Sequence, residues 1–127
     1  MKRDTREWIK KAEADYEVAQ LLMASDDWFT DQIAFHCQQS AEKYLKAILV
    51  EAGDPIPRTH ILHTLVVQAT IHHTVLSKYQ RGMRFLTRFA VAFRYPGEHA
   101  TKRQAKSALR WAEALRVEVR GILGLKL

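Results

Sequence analysis

At 127 residues the chain has the size of one domain, and 47% apolar and 27% charged residues with only 5 glycines and 3 prolines exclude collagen-like, low-complexity and disordered classes. The single cysteine, Cys37, excludes an internal disulfide framework and a cysteine-based zinc site and fits a reducing compartment. The net charge of +6 divides into −3 over residues 1–60 and +9 over residues 61–127, either an unevenly solvated surface or a second half that faces a polyanion or an acidic protein.

No run approaches the roughly 20 apolar residues of a membrane span, and the opening MKRDTREWIKKAEADY has no apolar core of a signal peptide. The expectation is one cytoplasmic domain over 1–127. Punctuation falls at Ser25-Asp26-Asp27, at Gly53-Asp54-Pro55-Ile56-Pro57 and at Tyr95-Pro96-Gly97, and the spacing between these points is helical.

Asp4 and Glu7 read as a capping box for a first helix over about 5–25, with Ile9, Ala12, Tyr16, Ala19 and Met23 as its inner stripe. A second helix over about 28–52 stops at Gly53. Ala34, Cys37, Ala41, Tyr44, Ile48 and Ala52 form its inner face; His36, Gln39, Lys43 and Lys46 line another. Thr59 is placed to cap a short helix through about residue 70. A fourth helix over about 75–93 carries Leu76, Tyr79, Met83, Leu86, Ala90 and Phe93 as a 3,4,3,4,3 seam, with Arg81, Arg84 and Arg88 opposite. Thr101 and Gln104 form a second capping box for a last helix over about 102–123. Its inner face is Ala105, Ala108, Leu109, Ala112, Leu115, Val119 and Ile122. No strand alternation appears, so the fold expected is all-α: four long helices and one short helix in an up-and-down bundle.

The turn Arg94-Tyr95-Pro96-Gly97-Glu98-His99 joins the last two long helices. Arg94 falls at the edge of the apolar stripe, and His99 lies two residues before the Thr101 cap, beside the positive end of the last helix. Arginine, imidazole and helix terminus at one corner suit a phosphodiester. The plainer reading is an arginine capping carbonyls and a surface histidine. Lys102, Arg103, Lys106 and Arg110 add a basic cluster, either a track for a nucleic-acid backbone or a solvated face.

These residues resemble the HEPN family of small helical bundles. Arg94 to His99 matches the family's Arg-x4-His spacing. Phe35-His36-Cys37-Gln38-Gln39-Ser40-Ala41-Glu42-Lys43-Tyr44-Leu45-Lys46-Ala47 is similar to the second helix of the small prokaryotic members. Thr59-His60-x-Leu62 resembles their short H-x-L segment, and Arg94-Tyr95-Pro96 the RYP ending of their fourth helix. The resemblance covers most of the chain. It implies a homodimer with two Arg-x4-His turns at a shared cleft, and a minimal nucleotidyltransferase as partner in a toxin–antitoxin-like pair. In ribonuclease members that cleft cuts RNA without a metal or other cofactor. His99 would then move protons at the ribose 2′-OH or the leaving oxygen, and Arg94 would hold charge on the phosphate. Tyr95 stands where such members usually carry a small polar residue after the arginine, and Thr101 where the nucleotide-modified toxins carry tyrosine. A non-catalytic module that binds a nucleotide or a protein is the alternative.

Other chemistries are weaker. His60, His63, His72 and His73 lie near one another in sequence, but residues 61–97 hold no Asp or Glu to complete a metal site. Cys37, on an inner stripe, reads as a small hydrophobe, and Trp8, Trp28 and Trp111 as core or dimer contacts. No Walker or Gly-x-Gly-x-x-Gly loop is present.

Overall fold

The computed structural model describes residues 1–25, 29–91 and 96–127. Trp28, at the start expected for the second helix, and Phe93, at the end expected for the fourth, lie outside the described residues, as do Asp26, Asp27, Arg94 and Tyr95. The described residues contain five α-helices and no strand: α1 (Arg3–Ala24), α2 (Thr30–Glu51), α3 (Leu62–His72), α4 (Gln80–Thr87) and α5 (Lys102–Ile122). The all-α bundle is therefore as expected.

Helix α1 buries Ile9, Ala12, Tyr16 and Ala19 on the predicted stripe. Its capping box does not form. The N-cap is Lys2, without a side-chain cap, and its amide donates to Glu51 Oε1 at 3.0 Å while the Thr5 hydroxyl donates to the same oxygen at 2.8 Å. Lys2 Nζ in turn donates to the Val50 carbonyl at 3.2 Å. The start of α1 and the end of α2 thus satisfy one another's orphan groups, which local spacing cannot anticipate. This also sets α1 antiparallel to α2.

Helix α2 is the central element. It packs against α1, α3, α4 and α5 and buries residues nearly all round, including Gln38, Ser40, Glu42 and Lys46. Gly53 ends it at φ 81°, with Gly53 N–H to Val50 O and Asp54 N–H to Leu49 O, both 3.0 Å, a Schellman closure that needs the left-handed residue. Ala52, read as inner face, is exposed beyond the helix end.

Helix α3 begins two residues later than expected, with Ile61 rather than Thr59 at its N-cap. Thr59 Oγ1 accepts from Ile61 N, and the Leu62 amide donates to Thr87 Oγ1 at 3.0 Å, so α4 caps α3. The predicted fourth helix is a composite. A 3-10 segment, Thr74–Tyr79, leads into α4, and a second, Arg88–Ala90, ends it. With three residues per turn in that second segment, the residue after Leu86 in the seam is Phe89, 3% exposed, rather than Ala90. Arg81, Arg84 and Arg88 are exposed as expected.

Gly82 has a tertiary task. A Cβ there would overlap Trp111 Cδ2 and Cε3 of α5, so the missing side chain is what admits the indole. Tyr79 OH, in the preceding 3-10 segment, donates to the Ala114 carbonyl at 3.2 Å; together with the approach of Gly82 to Trp111 this runs α4 antiparallel to α5. Helix α5 forms the predicted capping box in full, Gln104 N–H to Thr101 Oγ1 at 3.0 Å and Thr101 N–H to Gln104 Oε1 at 2.9 Å. It buries Ala105, Ala108, Ala112, Leu115 and Val119, with Leu109 and Ile122 partly buried at the margin. Among the described residues no helix is long and apolar enough to cross a membrane.

Candidate functional site

Of the expected pair at the turn before α5, Arg94 lies outside the described residues and His99 is exposed. Sequence reasoning missed the residue that holds His99. Asp31, in the first turn of α2, accepts the Ala100 amide at 2.6 Å on Oδ1 and lies 3.3 Å from His99 Nδ1 through Oδ2. The carboxylate is an acceptor only, so Nδ1 is the donor in this contact, and it is Nε2 that faces away from Asp31. The side chain of His99 is 71% exposed, and that of Asp31 21%. The only sequence signal for Asp31 was its place in a first helical turn, where acids are common; its 68-residue separation from His99 hid the rest.

Asp31 alters the electrostatics expected there. The Ala100 amide is bonded to a carboxylate, and the Gln104 amide to Thr101, so part of the anticipated donor set is already satisfied within the chain. The basic cluster flanks the corner: Lys102, Arg103, Lys106 and Arg110 are all exposed on the first turns of α5, and Arg110 Nη2 donates to Ser107 Oγ at 3.1 Å.

A second constellation assembles Gln38, Glu42, Lys46 and His60. Glu42 accepts from Lys46 Nζ at 3.0 Å and from Gln38 Nε2 at 3.2 Å, and His60 Nδ1 lies 2.8 Å away. Gln38 Nε2 also donates to the His60 carbonyl at 3.3 Å, and Lys46 Nζ sits 5.4 Å from the centroid of the Trp8 ring. Burial by itself would raise the Glu42 carboxyl; hydrogen bonds from His60, Lys46 and Gln38 outweigh it and hold the pKa below the usual carboxylate value. Lys46, which spacing sets on a face with His36, Gln39 and Lys43, is buried with its charge matched. The network ties the loop after Gly53 to the central helix.

Three of the remaining histidines face different partners. His36 Nδ1 faces Asp15 at 2.8 Å, His72 Nε2 faces Asp54 at 2.7 Å, and His63 Nε2 accepts from Arg84 at 3.1 Å. Among the described residues no three His, Cys, Asp or Glu side chains converge as a metal set. Trp8 and Trp111 are partly buried against the core. Cys37 is fully buried, and burial pushes its thiol up to about 12, unsuited to a nucleophile.

Comparison with known proteins places this geometry in context. The family model of the HEPN domain matches residues 5–122. The crystal structure of TT1696 from Thermus thermophilus is similar with a TM-score of 0.80 at 20% identity, over 94% of this chain and 98% of that one. That of ST0689, an archaeal HEPN homologue, is similar with a TM-score of 0.74 at 26% identity, over 95% of this chain and 98% of that one. No curated protein matches the chain.

Proposed function

We propose that this chain, which belongs to the HEPN domain family, holds a phosphate of RNA at the corner between His99 and the start of α5. There it acts as a metal-independent ribonuclease, as a homodimer paired in the cytoplasm with a minimal nucleotidyltransferase in a toxin–antitoxin-like system. The observation that carries the reading is the contact of His99 Nδ1 with Asp31, which leaves Nε2 directed outward beside the exposed cluster Lys102, Arg103, Lys106 and Arg110.

In this reading Nε2 takes the proton of a ribose 2′-OH as the 2′-oxygen bonds to phosphorus, and the P–O5′ bond breaks as the leaving oxygen takes a proton from water. Arg94 supplies a two-pronged guanidinium to the phosphorane oxygens. Asp31 is a positioning residue: it selects the tautomer and fastens the turn through the Ala100 amide.

One observation favours the second reading, a non-catalytic module that binds a nucleotide or a protein. The Asp31 carboxylate is itself an anion at the corner, on the Ala100 amide. A phosphate there needs enough neighbouring cation to outweigh it.

Incubation of labelled RNA with purified protein in EDTA separates the readings. Ribonuclease function requires cleavage to 2′,3′-cyclic phosphate ends by wild type, lost in His99→Ala and Arg94→Ala. Absence of cleavage by all three, with nucleotide or partner binding retained, leaves the module. Light scattering that found a monomer at micromolar concentration would remove the shared cleft.

A further inference from the structure

Helix α4 and the 3-10 turns at its two ends line a groove of about 610 Å3, with Lys78, Arg81, Arg84, Phe85 and Arg88 along it. Its arginines differ from those that hold the bundle together. Arg116 and Arg120 of α5 both reach the Glu13 carboxylate, at 2.8 and 3.4 Å. Among the described residues, Arg81, Arg84 and Arg88 meet no carboxylate, and none exists nearby in sequence, since residues 61–97 contain no acid. Arg84 Nη2 donates to His63 Nε2, and Arg88 lies 5.5 Å from the Phe85 ring centroid. Lys78 alone is neutralised, by Glu118 at 2.9 Å.

Three guanidinium groups at i, i+3 and i+7 repel one another on the helix, and no ion pair among the described residues offsets that repulsion. The row advances by about 1.5 Å per residue, so the outer two are about 10 Å apart along the axis. That length suits a polymer with charges in series better than one phosphate. The half-buried Phe85 lies between them, held edge-to-face against Phe89 at 5.2 Å, and offers an aromatic surface within the charged row. Arginine in place of lysine adds planar, two-pronged phosphate recognition and stacking on bases.

We infer that the α4 groove is a second nucleic-acid site, in which Arg81, Arg84 and Arg88 bind successive phosphates of single-stranded RNA and Phe85 receives a base. The inference rests on the RNA reading above but on different residues, so the two fail separately. The α4 track binds; it takes no part in bond breaking.

The test is fluorescence anisotropy with a labelled oligouridylate of about twelve nucleotides, titrated at several salt concentrations from about 50 to 200 mM. The variants are Arg81→Gln/Arg88→Gln and Phe85→Leu, with circular dichroism to establish that each folds. Both arginines are exposed, so the double variant keeps its fold. The expected result is a loss of about tenfold in affinity at low salt for the double variant, with a slope of log K against log salt shallower by about 1.4 for two lost phosphate contacts. Phe85→Leu weakens binding without changing the slope. Unchanged affinity and slope in the double variant overturn the inference, as does a polyglutamate peptide that competes as well as RNA at equal charge, which assigns the groove to an acidic protein. Loss of binding in His99→Ala with full binding in the double variant overturns the α4 site and leaves the corner reading intact. Loss of cleavage in His99→Ala with binding still dependent on Arg81 and Arg88 supports both.

Discussion

The carboxylate of Glu42 lies 2.8 Å from Nδ1 of His60, across 18 residues of sequence, and the same carboxylate neutralises Lys46 one turn along α2. One acidic side chain, 4% exposed, therefore holds a loop, a buried lysine and a glutamine in a single arrangement. A charge removed from water to this degree persists only with its partners complete.

Removal of one partner is accordingly costlier than removal of both. Glu42→Ala leaves Lys46 buried and unmatched, and is expected to lower unfolding free energy by about 3 kcal/mol. Glu42→Leu/Lys46→Met restores packing without charge and is expected to recover most of that loss. Urea midpoints at constant slope measure both; a double variant weaker than Glu42→Ala would contradict the account.

Acid destabilises the fold through the same group. The Glu42 carboxyl is held below its ordinary value of 4.5 in the folded chain, and Glu13 likewise: burial opposes ionisation there, but hydrogen bonds from Arg116 and Tyr44 outweigh it. A depressed folded pKa contributes stability that is present in full above the unfolded value and lost as pH falls through the folded value. Stability is thus expected to be flat above 4.5 and to fall progressively below it. Glu42→Gln should start lower at neutral pH and show a shallower acid decline, followed by urea melts from neutral to acid pH. An equally steep decline in that variant would assign the acid sensitivity to other carboxylates.

Gly82→Ala tests the closest approach of α4 to α5. Alanine favours helix over glycine by up to about 1 kcal/mol, so on an open surface this change would stabilise. Here the new methyl collides with the Trp111 ring, and a net loss of about 1–3 kcal/mol is expected from overpacking. Combining it with Trp111→Leu should cost less than the sum of the two changes, read from thermal midpoints. Additive losses would place the indole elsewhere.

Cys37 provides a probe of global opening. With its thiol fully buried and raised to about 12, native protein at mildly alkaline pH is expected to resist a thiol-reactive dye, and denaturant to restore the normal rate. Native reaction as fast as that of the unfolded chain would show that α2 is not enclosed.

Much of the fold was legible because helices answer to local rules. The stripe Ile9, Ala12, Tyr16 and Ala19, the seam from Leu76 to Leu86, the Gly53 stop and the Thr101–Gln104 box all depend on residues within a turn or two of one another, and each appears where spacing placed it. The failures share the opposite property. Asp4 did not cap α1 because Glu51 supplied the acceptor from the far end of α2, and Thr59 did not start α3 because Thr87 capped Leu62 instead. Spacing sets Lys46 on one face with His36, Gln39 and Lys43 but not whether that face is covered; packing of Trp8 and the His60 loop over α2 encloses it.

The candidate site divides the same way. His99 and the cluster Lys102, Arg103, Lys106 and Arg110 were named from their place before and along α5, and the family followed from motifs in order along the chain. That His99 answers to Asp31, and that the α4 arginines share a groove with Phe85, was decided by tertiary structure. Periodicity fixes which side of a helix a residue takes, because the backbone repeats every 3.6 residues. Which foreign side chain it then meets depends on how the helices dock, and docking is a property of the whole core rather than of any segment.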